Sequence, residues 1–338
     1  MPLQPKDWAV LVGIQHYGDD LGSLQGPLDD VGAFRTWIED AATGGGVPPA
    51  QVNVLASDGS DRAPPLKDEI DRAFASILQQ TAGGGGRRLY VYFGGHGLSG
   101  GADATLLCLA SWSLALRGAA LNEADYRTKL AESGCFAEIV FLVDACRTRV
   151  PGAFGQLPMF GAAAPKPASV AFVAQATRDQ YPAFEAASAD DRRVRGHFTK
   201  ALLDGLRGGA VDANHAGPGV TADGLKRYIE VHTPRVAAAH GHAQTAQVTN
   251  GLPSDPPTVF GAAPAEGQVE IVVAPGATPG TLVVEGAAGE AARVSPPPAV
   301  WSLRLPRGTW YVTDGADGIV GRFRVQDTTE VLHVRLGS

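Results

Sequence analysis

Four apolar runs, at residues 8–14, 52–56 (interrupted by Asn53), 89–93 and 139–143, alternate with helical patterns through the first 150 residues. No other feature constrains the fold as much. A run that is apolar at every position is buried on both faces, unlike the polar–apolar alternation of a strand with one wet side. Between the runs, GPLDDVGAFRTWIED puts Pro27 at a first helical position and Leu28, Val31, Phe34 and Ile38 on one face. Residues 66–80 repeat this with Leu66, Ile70, Phe74 and Ile77, and a third helix is predicted after the N-cap Asn122, stapled by Leu121 and Tyr126. Less regular signals add a strand at 169–176 and helices at 198–206 and 221–231. Strands alternating with helices predict an α/β fold: a mostly parallel sheet flanked by helices.

The texture changes late in the chain. Residues 251–265 are rich in Pro, lack periodicity and read as a linker. Beyond them, short β-branched runs at 269–274, 281–285, 300–305, 309–313, 321–325 and 331–336 predict a small antiparallel β-sandwich. The expected organisation is a catalytic unit over 1–250, a linker over 251–265 and an all-β domain over 266–338.

Charge and composition narrow the functional classes. With 28 Lys and Arg against 35 Asp and Glu, the formal charge of −7 gives no basic surplus, so neither nucleic acid nor a membrane surface is expected as a partner. No stretch reaches the roughly eighteen apolar residues of a spanning helix, and the start lacks the pattern of a secretory signal. A cytoplasmic location is expected. Three cysteines are too few, and odd in number, for a disulfide-built scaffold, so reduced thiols are expected.

Two segments place reactive residues just past a buried strand, where an open parallel sheet presents its binding crevice. LYVYFGGHG sets His96 among glycines, and EIVFLVDACRTR sets Asp144 and Cys146 after its strand. Right-handed crossovers bring both strand ends to one sheet edge. There an imidazole can take the proton of a thiol and return it to a leaving amine, while the amides of Gly97 and Cys146 hold a developing oxyanion. Cys108 and Cys135 are expected to be buried packing residues.

The ordered set WAVLVGI, LQGPLDDVGAF, YVYFGGHG, VFLVDACRTR, VAQATRDQYPAFE and GHFTKALLDGL resembles the caspase-like cysteine peptidases, in their paracaspase, metacaspase and bacterial orthocaspase branch, over about residues 8 to 250. The resemblance implies His96 and Cys146 as catalytic dyad, 50 residues apart, with Gly97 contributing to the oxyanion hole. The sequence reads D-A-C-R-T where animal caspases have Q-A-C-[RQG]-G. Asp144, Asp30 and Glu185 match the carboxylates lining the paracaspase pocket. Three such groups without a cation repel one another, whereas a guanidinium takes two of them in a bidentate grip. Cleavage is therefore expected after Arg, with Lys second, in protein or peptide substrates.

Activation by loop cutting or by a regulatory protein is a further expectation. Arg147, Arg149 and Lys166, and Arg192, Arg193 and Arg195, fall in segments read as exposed loops. No cofactor is expected. Calcium activation, common in metacaspases, has no clear site: SDGSDR at 57–62 lacks the twelve-residue pattern. His232, His240 and His242 lack an accompanying ligand set and read as solvated helix-end residues. Two competing readings are a catalytically dead scaffold that binds a partner through the β-domain, which has no need of His96 or Cys146, and a non-peptidase α/β hydrolase, which has no need of the carboxylates.

Overall fold

A computed structural model describes residues 3–57, 59–60, 62–83, 85–161, 169–187, 193–210, 219–262, 266–273, 280–286, 289–306, 308–315, 318–325 and 332–336. In chain order, β1 (Asp7–Gly13), α1 (Pro27–Glu39), β2 (Val52–Ala56), α2 (Lys67–Gln80) and β3 (Gly86–Gly94) come first. Three short strands follow, β4 (Gly97–Ser99), β5 (Thr105–Cys108) and β6 (Ala120–Asn122), then α3 (Glu123–Glu132), β7 (Phe136–Asp144) and β8 (Val170–Gln175). The rest of this unit is β9 (Glu185–Ala187), β10 (Val194–Gly196), α4 (His197–Asp204), β11 (Gly219–Thr221), α5 (Ala222–Ala238), β12 (Gln247–Asn250) and β13 (Val259–Ala262).

Six of these strands form one sheet in the order β12-β8-β7-β3-β1-β2, in which the run 52–56, expected to be buried on both faces, is the edge strand β2 and is only half-buried, because it has a neighbour on one side alone. All neighbours from β2 to β8 are parallel, and β12 closes one edge antiparallel. Helices cover both faces, as strands apolar on both sides require. On one face Phe34 of α1, Phe198 and Leu202 of α4, and Leu225 and Ile229 of α5 pack over Tyr90, Tyr92 and Phe172. On the other, Phe74 and Ile77 of α2 and Tyr126 and Leu130 of α3 cover Val91, Phe93 and Phe141. Each such side chain contributes about 1.5–3 kcal/mol of burial. Asn122 caps α3 as its sequence predicts, accepting from the Ala124 N–H at 3.2 Å. Strands β3 and β7 lie side by side with Gly94 opposite Asp144, so the residues that follow them emerge together.

Two expectations are corrected here. Residues 251–262 are docked rather than loose: β13 pairs with β11, and Leu252 and Phe260 are buried in the main core, Phe260 against Phe172 at 5.3 Å. An aromatic fills the core from a segment whose prolines hide any periodicity. The C-terminal strands β14 (Glu266–Val273), β15 (Leu282–Gly286), β16 (Gly289–Val294), β17 (Val300–Pro306), β18 (Gly308–Thr313), β19 (Ile319–Val325) and β20 (Leu332–Leu336) form two sheets, β17-β14-β20 and β16-β15-β18-β19. Their inner faces share one interior, including Val269, Ile271, Leu282, Val284, Val312 and Val334. The sandwich is not wholly antiparallel, because β20 returns to run parallel to β14. Among the described residues no helix is long and apolar enough to cross a membrane.

Candidate active site

His96 and Cys146 each sit two residues beyond paired strands, β3 and β7. The Gly95 N–H donates to the Asp144 carbonyl at 3.2 Å and ties the two exits together. A Cβ on Gly97 would lie 2.6 Å from the Cys146 carbonyl oxygen, so glycine is what lets these backbones approach. Gly97 faces Leu107 across β4 and β5, and the Cys108 N–H donates to the His96 carbonyl. In an antiparallel ladder that makes Gly97 and Leu107 a non-hydrogen-bonded pair, so the Gly97 N–H turns away from β5.

The imidazole Nε2 lies 3.0 Å from the Gly22 carbonyl oxygen. A carbonyl only accepts, so Nε2 carries the proton and Nδ1 is left as the acceptor. Tyr17 holds the histidine backbone, its hydroxyl accepting from the His96 N–H at 2.9 Å. The Cys146 Sγ is clasped by Ala183, donating to its carbonyl at 3.4 Å and accepting from its N–H at 3.2 Å. Imidazole and thiol are thus each bonded to backbone. Burial pulls His96 below the ordinary imidazole value. Burial also pushes the Cys146 thiol up, and Asp144 and Glu185 add to that. Both groups rest neutral, and the imidazole is in the tautomer whose Nδ1 is free to accept a proton.

The three carboxylates converge. Asp30, in the first turn of α1, is buried and accepts from the Gly196 N–H at 2.9 Å through Oδ2, while its neighbour Asp29 turns outward to Arg193 at 3.7 Å. Asp144 Oδ2 accepts from the Thr199 N–H at 3.0 Å and the Thr199 hydroxyl at 2.6 Å. It thereby caps α4, whose N-cap Gly196 offers no side chain. Glu185 takes the Gln25 and Gly26 N–H groups, one on each oxygen, at 2.9 Å, and so caps α1. Burial, then Asp144, pushes Asp30 well above the carboxylate range. Burial raises Asp144 to about 6, against the bonds from Thr199. Glycines open this space: a Cβ on Gly196 would lie 2.0 Å from Asp144 Oδ2, and one on Gly26 2.9 Å from Glu185 Oε2.

Other sequence readings change. Arg147 is not on an exposed loop; it is fully buried, donating to Gln175, Gln247 and the carbonyls of Gly101, Ala102 and Ala104. Arg195 lies in β10 with its side chain 14% exposed, whereas Arg149 and Arg193 are exposed. Lys166 and Arg192 lie outside the described residues. His242 is not simply solvated, for it stacks on Phe184 at 4.3 Å and pairs with His197 at 2.9 Å. His240 stacks on His197 at 5.1 Å and His232 on Tyr228 at 4.0 Å. Among the described residues no group of three or more His, Cys, Asp or Glu is placed to hold a metal ion. Cys108 and Cys135 are buried, and Cys146 is the partly exposed thiol.

Tyr17, Thr199, His197 and the Gly22 carbonyl escaped the sequence reading. The faint signal for Thr199 was its place in the first turn of a helix whose cap residue is glycine.

A family model described as the caspase domain (Peptidase_C14) matches residues 6–219. A probable protease from a Desulfuromonadales bacterium is 29% identical over 220 residues, covering 60% of this chain and 26% of that protein, so the chain matches about a quarter of its relative's length. The crystal structure of caspase-1 from Spodoptera frugiperda aligns with a TM-score of 0.49 at 16% identity, over 78% of this chain and 92% of that one. With more than half of its length matched by the family model, the chain belongs to the caspase-domain family.

Proposed function

We propose that the protein is a cysteine endopeptidase that cuts polypeptides after Arg, and less efficiently after Lys, using His96 and Cys146. The observation that carries this reading is the convergence of Asp30, Asp144 and Glu185 beside the strand ends that bear the dyad. Of their oxygens, Asp30 Oδ1 is buried without a hydrogen bond, and both Asp144 bonds fall on Oδ2. That leaves Asp30 Oδ1 and Asp144 Oδ1 as a pair of acceptors for the fork of a guanidinium.

Substrate binding replaces the Ala183 contacts of the thiol. His96 Nδ1 takes the Cys146 proton as sulfur attacks the scissile carbonyl carbon, and the Gly97 and Cys146 N–H groups receive the oxyanion. Collapse breaks the C–N bond, the imidazolium protonates the departing amine, and a thioester remains. Water then attacks with His96 as base, the C–S bond breaks, and thiol and imidazole return to their neutral forms. Activation by cutting after Arg149 or Arg193 fits the exposure of both residues.

The reading is tested with an irreversible peptidyl-arginine chloromethyl ketone, followed by mapping of the adduct by mass spectrometry. The expected result is one adduct, on Cys146, that forms far more slowly in His96→Ala and is outpaced by no peptidyl-aspartate analogue. Labelling of Cys108 or Cys135 instead, or faster labelling by the aspartate reagent, overturns it.

A further inference from the structure

The acidic pocket already holds a guanidinium. Arg195 stands on β10 opposite Ala186 of β9, one residue from Glu185 on that strand and one before Gly196. Its side chain is 14% exposed, and Nη1 lies 4.0 Å from Asp30 Oδ1. That oxygen is buried and accepts no hydrogen bond, while Asp30 Oδ2 is occupied by the Gly196 N–H. At 4.0 Å the pair is beyond hydrogen-bond reach, so Arg195 is not locked to that oxygen, and its positive charge favours the ionised Asp30 against the burial and the Asp144 charge that push this carboxyl up. The backbone beneath is fixed: the Arg195 Cα would lie 3.5 Å from a Cβ on Gly26, against the N-terminus of α1. A long, jointed side chain on a fixed strand can withdraw its head while its strand stays in place.

An incoming Arg side chain needs the same Asp30 oxygen, and two guanidinium groups crowded onto one carboxylate repel each other. We propose that Arg195 is the resident counter-ion of the pocket, attracting Asp30 while the site is empty and yielding that carboxylate to the guanidinium of the substrate, so that it sets the affinity for cationic side chains. This rests on the acidic-pocket reading above. The step is an exchange of ion pairs, with no bond made or broken. The Asp30 carboxyl that Arg195 faces belongs to the pocket and not to the dyad, so the exchange acts on binding and leaves the chemical step alone.

The test is calorimetric titration of the full chain with agmatine, a guanidinium on an aliphatic stem, at pH 8. Wild type is compared with Arg195→Met, which keeps the apolar stem, and with Arg195→Lys. Arg195→Met is expected to bind agmatine about tenfold more tightly, with Arg195→Lys nearer to wild type. On an Arg-dye peptide, Arg195→Met is expected to lower KM by a similar factor at unchanged kcat. Equal or weaker agmatine binding by a folded Arg195→Met overturns the counter-ion role while leaving the pocket reading intact. Failure of every form to bind agmatine removes the acidic pocket, and this role with it. Should Arg195→Met not fold, Arg195→Gln carries the same expectation and is judged by the same titration.

Discussion

The Tyr17 hydroxyl accepts the backbone N–H of His96 at 2.9 Å and donates to the Cys108 carbonyl at 3.2 Å, and the phenol and imidazole ring centroids lie 4.6 Å apart in a T-shaped pair. Burial raises the phenol well above its ordinary value, so it stays a neutral donor. Tyr17 therefore fixes where the imidazole stands. Tyr17→Phe keeps the ring and loses both hydrogen bonds. Its kcat is expected to fall about tenfold at unchanged KM, with a stability loss of about 1 kcal/mol per bond. Steady-state kinetics and a urea melt check this, and a variant that shifts only the melt contradicts it.

Gly196 is required by the carboxylate beside it and not by its backbone, which at φ −60° and ψ 136° any residue can adopt. In Gly196→Ala the new methyl meets Asp144 Oδ2 at 2.0 Å, so the carboxylate must leave Thr199. The expected outcome is a KM for Arg peptides raised at least tenfold and a stability loss of about 1–3 kcal/mol. An unchanged KM means that Asp144 does not face the substrate.

Acid should weaken substrate binding before it unfolds the protein. Asp144 is raised from 3.8 to about 6. As pH falls through 6 the empty pocket takes up a proton, and KM for an Arg peptide is expected to rise. Stability moves the other way. The folded state binds more protons than the unfolded state between about 4 and 6, so the contribution of this group is complete below about 4 and is lost as pH rises through 6. Asp144→Asn is expected to remove the part of both dependences that Asp144 carries, leaving that of the raised Asp30, and to weaken Arg peptides by about 2–5 kcal/mol. A KM that stays flat from pH 7 to 5 in wild type contradicts the pocket assignment.

Arg147 joins the loop after β4 to the strand edge next to the nucleophile. Arg147→Met takes the guanidinium donor from the Gly101, Ala102 and Ala104 carbonyls, of which Gly101 and Ala104 keep a backbone N–H partner. A loss of about 2–5 kcal/mol is expected in a thermal or urea melt. Brief trypsin digestion of the native protein is expected to cut after Arg149 or Arg193 and to spare Arg147. Early cutting after Arg147 contradicts its burial.

What could be read from the chain alone follows from how local each signal is. Runs 89–93 and 139–143 announce buried strands by composition, and a reactive residue after each needs only the rule that parallel strands end on one edge. Asp29 and Asp30 look alike in sequence, because both sit in one helical turn. Only the packing of α1 decides that Asp30 turns inward. Thr199, Gly196 and Tyr17 act across 55, 166 and 79 residues of chain, through backbone groups that leave no residue pattern. Arg195 looked like loop charge because nothing local marks a two-residue reach into a pocket. Strand β16 leaves no signal because GEAARV is mostly exposed and offers no apolar run.

The most direct measurement is kcat/KM for three dye-linked peptides that differ only in a terminal Arg, Lys or Asp, assayed with wild type and Cys146→Ala. Wild type is expected to release dye from the Arg peptide fastest, from Lys next and from Asp at background, and Cys146→Ala is expected to release none. Faster release from the Asp peptide, or Arg cleavage that survives in Cys146→Ala, contradicts a cysteine peptidase with an acidic pocket.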